Sequence, residues 1–91
     1  MRARRLAIVD EYREGGRVAV YSEADMVVLL SELASMAWSV LGEEWTDADD
    51  VTAELVEVFG DPGAAGDALA MTQAALRTLA EHGIVELDAD A

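Results

Sequence analysis

Apolar positions along the chain follow two periods, and the change between them falls near Ser31. Before it lie short extended runs. Leu6-Ala7-Ile8-Val9 is apolar throughout. Tyr12-Arg13-Glu14-Gly15-Gly16 predicts a turn, because its two glycines supply positive φ. Arg17-Val18-Ala19-Val20-Tyr21 is β-branched and aromatic and predicts a second strand. Ser22-Glu23-Ala24-Asp25 breaks it, and Met26-Val27-Val28-Leu29-Leu30 predicts a third. Three such strands with tight turns make an antiparallel meander.

From Ser31 onward the spacing is helical. Leu33, Ala37, Val40 and Leu41 mark one face, and Gly42 stops the helix. Thr46-Asp47-Ala48-Asp49 has the form of a capping box with Thr46 as cap, its acids placed at the positive helix end. Val51, Leu55, Val58 and Phe59 mark the apolar face of a second helix, ended by Gly60. Asp61-Pro62 opens a third, whose buried face is Leu69, Thr72, Leu76, Leu79 and Ala80, closed by His82-Gly83. Ile84 to Leu87 is a short extended tail. The order β-β-β-α-α-α predicts an α+β, winged-helix-like fold: a three-stranded antiparallel sheet followed by three helices, with the wing at the N-terminus. Ninety-one residues make one domain, with residues 6–87 folded and 1–5 and 88–91 as flexible termini.

Composition narrows the function. The hydrophobic fraction of 53 % excludes a disordered acidic chain. Cysteine is absent, which removes disulfides, thiolate metal sites and a cysteine nucleophile together. The longest apolar run, Met26 to Leu30, is far short of the roughly 20 residues of a membrane span. The basic start Met1-Arg2-Ala3-Arg4-Arg5 lacks the apolar length of a signal peptide, so the expected setting is cytoplasmic, with no membrane partner. Nineteen acids against six arginines, with no lysine, give −13. Residues 1–17 carry +2 and residues 18–91 carry −15. Such a body repels phosphate backbones, which disfavours nucleic acid, and suits a basic partner or simple solubility.

Catalytic chemistry has little to work with. His82, the single histidine, sits at a predicted helix end, where capping accounts for it. Nucleophile-elbow, phosphate-loop and HExxH motifs are absent. Asp47, Asp49 and Asp50 suggest a calcium loop, but Val51 and Thr52 stand where an oxygen ligand and glycine are needed. An acyl carrier needs a serine after aspartate at a helix head, and none of the four serines has one. The expectation is a non-enzyme without cofactor or metal.

Three stretches carry a resemblance. Met26-Val27-Val28-Leu29-Leu30-Ser31-Glu32-Leu33-Ala34 looks like a strand entering a helix through a Leu-Asn-Glu-Thr-Ala-type junction, with serine for asparagine and leucine for threonine. Thr46 through Val51-Thr52-Ala53-Glu54-Leu55-Val56-Glu57-Val58-Phe59-Gly60 is similar to a T-x-x-E-I-V-x-x-L-x-x-x-F-G helix. Leu76-Arg77-Thr78-Leu79-Ala80-Glu81-His82-Gly83-Ile84-Val85 matches an L-x-x-L-x-x-x-G-L-L/V ending. In this order and length they resemble the PqqD-like family, the recognition elements of ribosomally made, post-translationally modified peptides (RiPPs), over roughly residues 6–87. The resemblance implies a non-catalytic domain that binds the leader of a precursor peptide as an added strand on the third strand, beside the third helix. It implies delivery of that peptide to a modifying enzyme or protease in natural product biosynthesis.

The residues themselves allow this. Met26, Val27, Val28, Leu29 and Leu30 form an apolar run whose edge is a ready strand acceptor, or else an ordinary buried strand. Met71, Ala74 and Thr78 fall off the buried face of the third helix, with Arg77 on a flank, paired either with a leader acid or with Glu81 one turn on. Trp38 projects away from the first helix's main face, either to close the core or to sit in an interface. The alternatives are a winged-helix nucleic-acid binder, disfavoured by a third helix with Arg77 against Asp67 and Glu81, and an acyl-carrier-like protein.

Overall fold

The computed structural model describes residues 1–23, 25–63 and 67–88. Nine elements follow in order: β1 (Arg2–Arg5), β2 (Ile8–Glu14), β3 (Arg17–Ser22), β4 (Val27–Leu29), α1 (Glu32–Val40), β5 (Thr46–Asp47), α2 (Ala48–Phe59), α3 (Ala68–Glu81) and β6 (Val85–Asp88). The fold is α+β, with strands leading and helices following, and its strands form two antiparallel sheets, ordered β2-β3-β4 and β5-β1-β6.

The first sheet is the expected meander. β2 and β3 turn on Gly15 and Gly16 alone, with φ of +59° and +79°, the double left-handed turn that suits the strand twist. Tyr12, Arg13 and Glu14, expected in the turn, are strand residues instead, paired with Ala19, Val18 and Arg17. β4 pairs with β3 through Ala19↔Leu29, Val20↔Val28 and Tyr21↔Val27. It is shorter than the expected five residues, because α1 and β3 take over its end: the Leu30 carbonyl accepts from Arg17 Nε at 3.0 Å and Ser35 Oγ at 3.5 Å.

The second sheet was not expected. Residues 1–5, read as a flexible terminus, form its middle strand. Ala3 is fully buried, and Arg2 to Arg5 pair with Asp88 to Val85. Asp88, read as frayed, belongs to β6; residues 89–91 lie outside the described residues. The arginines of this basic start are engaged internally. Arg2 and Arg4 form ion pairs with Asp88 and Glu86 and both lie over the Trp45 ring. Pairing with β1 also draws Thr46 into β5, so Asp47 rather than Thr46 caps α2, accepting from the Asp49 N–H at 3.0 Å.

The helices bury different faces than periodicity alone suggests. In α1 the buried residues are Ala34, Ser35, Ala37 and Trp38, with Leu33 and Val40 half-buried. Trp38 rotates the face inward because its volume dominates; it is fully buried and closes the core. α3 begins at Ala68 on an Asp67 cap, not at Pro62, and residues 64–66 lie outside the described residues. Its face of Thr72, Leu76 and Leu79 is buried as expected, and His82 caps its end before left-handed Gly83. In α2, Val51 and Leu55 are buried, but Val58 and Phe59 stand in solvent, 56 % and 49 % exposed. Glu11 reaches inward from β2 to accept the Trp38 indole N–H at 2.7 Å, while the Arg5 guanidinium lies 4.3 Å from that ring's centre.

Candidate functional site

β4 occupies one edge of the meander, and its register decides what that edge offers. The Ser22 N–H donates to the Met26 carbonyl and the Leu30 N–H to the Val18 carbonyl. Hydrogen-bonded pairs alternate along an antiparallel ladder, so Met26, Val28 and Leu30 direct their backbone groups at β3. Val27 and Leu29 therefore turn their N–H and C=O groups to the open edge. From Val27 to Leu30 the side chains alternate as well: Val28 and Leu30 are buried, whereas Val27 and Leu29 are 69 % and 64 % exposed; Met26, ahead of the strand, is 54 % exposed. The edge thus presents two N–H donors, two carbonyl acceptors and two apolar side chains, with no charge among Val27–Leu29.

The other edge of this sheet is different. β2 carries Asp10, Glu11, Arg13 and Glu14 and shifts register between Ile8 and Asp10, and charges and bulges both blunt an edge against added strands. The turn before β4 is fixed by Asp25, which adopts φ +63°, donates its N–H to the Ser22 carbonyl at 3.1 Å and accepts the Tyr21 hydroxyl on its carboxylate. That hydrogen bond to Asp25 raises the Tyr21 pKa above its ordinary value.

The outer face of the sheet carries apolar side chains on all three strands, bordered by Asp10 opposite Tyr21 and by Glu14 opposite Arg17. Tyr12 lies opposite Ala19, which lies opposite Leu29; Tyr21 lies opposite Val27. Two shallow hollows here are bounded by Asp10, Glu11, Tyr12, Ala19, Tyr21 and Val27, and by Tyr12, Glu14, Arg17, Ala19 and Leu29. Tyr12 and Tyr21 were not singled out from the sequence, although the alternation Asp10-Tyr12-Glu14 and Ala19-Tyr21 signals a shared outward face.

The third-helix residues Met71, Ala74, Arg77 and Thr78 are all exposed, as their off-core spacing predicts. Thr78 spends its hydroxyl on the Ala74 carbonyl at 3.1 Å. Arg77 makes no ion pair with Glu81; among the described residues it has no carboxylate partner. α3 packs on α1, α2 and β6. The structure does not bring β4 and these four residues into one cavity. Met71 instead lines a cleft of about 190 Å³ with Leu33, Leu55, Val56 and Phe59.

Chemically the site can form backbone hydrogen bonds and bury apolar side chains. Among the described residues, no group of three His, Cys, Asp or Glu is placed to hold a metal ion, and no helix is long and apolar enough to cross a membrane. His82 is exposed at the end of α3, away from β4 in sequence and on a different sheet's approach. No family model matches the chain, and no curated protein or solved structure is detectably similar to it.

Proposed function

We propose that this chain is a non-catalytic peptide-binding domain. It captures the leader segment of a ribosomally made precursor peptide as a further strand on β4 and holds it for a modifying enzyme or protease, in a cytoplasmic setting. The winged-helix-like layout expected from the sequence belongs to the same reading. The observation that carries it is the open β4 edge, where Val27 and Leu29 offer unpaired backbone groups beside exposed apolar side chains. Strand addition draws affinity from the backbone and specificity from alternate side chains. Arg77, with no carboxylate partner among the described residues, is available to an acid of the bound peptide. Duplex binding is disfavoured, because the N-terminal arginines are tied to Asp88, Glu86 and Glu11 and α3 offers Arg77 alone.

The test begins with the genes beside the one for this chain, which would encode the precursor. Its leader, synthesised and titrated into labelled protein, should shift the amides of Val27 and Leu29 first. Leu29→Pro removes an outward N–H and leaves the β3 ladder intact, so it should weaken binding at least about tenfold, or 1.4 kcal/mol. Ala74→Glu adds charge on an exposed position of α3, outside the hollows beside β4, and should weaken binding less than Leu29→Pro does, without loss of helix signal. Normal binding by both variants, or shifts confined to α2, would reject the reading.

A further inference from the structure

We infer that the cleft at the C-terminal end of α2 is a second docking site, for a partner-protein segment that presents an apolar side chain flanked by lysine or arginine. This goes beyond peptide capture at β4; Met71 is the one residue the two regions share.

Three observations converge on the cleft. First, Phe59 and Val58 continue the apolar face of α2, yet the chain leaves about half of each in water. Buried neighbours do not explain them, and exposed large side chains grouped beside a hollow mark interaction surfaces. Second, the surface there is concave on both sides. The cleft of about 190 Å³ lies on one side of Phe59, and a hollow of about 400 Å³, reaching Met36 of α1, lies on the other. Third, the surroundings are electronegative. Asp61 borders the first hollow and Glu32 the second. The last turn of α2 has no basic residue, so its carbonyl ends keep their partial negative charge. Arg13, the cation among the described residues that line these hollows, is held by Glu11 at 3.0 Å.

Charge selects the occupant. A nucleic acid or an anionic bilayer is repelled by a chain of −13, and so is a second copy of the chain. A basic protein segment is attracted, gains contact with the α2 carbonyl end and Asp61, and buries Phe59.

The probes are two helical peptides with leucines at the same positions, one otherwise lysine and the other otherwise glutamate. The leucine-lysine peptide should shift the amides of Leu33, Val56, Phe59 and Gly60, and the leucine-glutamate peptide should shift none. Phe59→Ser, at an exposed position, should weaken binding at least about tenfold. Asp61→Asn keeps an acceptor for the Gly63 N–H, now 2.7 Å away, and should weaken binding a few-fold and flatten its salt dependence. Leu29→Pro should leave it unchanged, which separates this inference from the leader reading. Shifts scattered over the acidic surface or centred on β4 would overturn it. So would wild-type affinity in Phe59→Ser or, should that variant lose its helix signal, wild-type affinity and salt dependence in Asp61→Asn.

Discussion

Glu11 is the acceptor that the Trp38 indole finds at the floor of the core, and replacing it strands a buried N–H. Glu11→Ala should therefore cost about 1–3 kcal/mol, read from the urea midpoint. The same contact has a pH signature. The indole N–H, then Arg13 and Arg5, hold the Glu11 carboxyl below its ordinary value against the opposing effect of burial. A depressed carboxylate pKa stabilises the fold fully above the unfolded value of about 4.3 and loses that contribution as pH falls through the folded value. Urea midpoints of the native protein should thus fall faster between pH 5 and pH 3, about that unfolded value, than those of Glu11→Gln; parallel curves would deny Glu11 this role. Its size, not its spacing, made Trp38 a core candidate, and neither showed its acceptor, which lies 27 residues away on another element. Thr46 misled for a related reason. Thr46 and Asp47 stand side by side and each makes a passable cap, and pairing with β1 decided for Asp47.

The β4 element shows how parity turns a uniform run into two faces. All five residues from Met26 to Leu30 are apolar, so alternation was unreadable in them; it was readable in the neighbouring Val18-Ala19-Val20-Tyr21, and the register transfers it. Proline at adjacent positions should report this directly. Val28 is 4 % exposed with its N–H toward β3, so Val28→Pro should unfold the sheet, whereas Leu29→Pro should keep a native circular dichroism spectrum. Equal damage from both would place the open edge wrongly. β1 was illegible, since Arg2-Ala3-Arg4-Arg5 has neither β-branched residues nor an apolar run. Its strand state rests on partners more than 80 residues away, Glu86 and Asp88. Removing residues 1–5 takes the middle strand from β5-β1-β6 and should abolish the cooperative urea transition of a fold whose whole stability is only about 5–15 kcal/mol. An unchanged midpoint would show the strand to be dispensable.

At the scale of the molecule, the acidic surface opposes compactness while the ion pairs Arg2–Asp88 and Arg4–Glu86 favour it. Both pairs are partly exposed and so contribute little, whereas the −13 is shared by the whole body. Raising salt from 0.01 to 0.5 M shrinks the screening length from about 30 Å to only a few ångströms and should raise the melting temperature; a fall would show the local pairs to dominate. The class of the fold and the order of its main elements were legible because meander and helices are built from neighbours in the chain. The second sheet was not, because it joins strands more than 80 residues apart. That closure bears on how the protein comes into being. A ribosome releases β1 well before its partner β6, so the sheet between them must wait until residue 88 has been made, at the loop-closure cost of partners 86 residues apart. The β2-β3-β4 meander needs only residues 8–29 and can assemble while α1, α2 and α3 are still being synthesised. The nascent chain therefore exposes its strand-accepting edge well before β1 and β6 are tied, in a cell where many other unfinished strands are near.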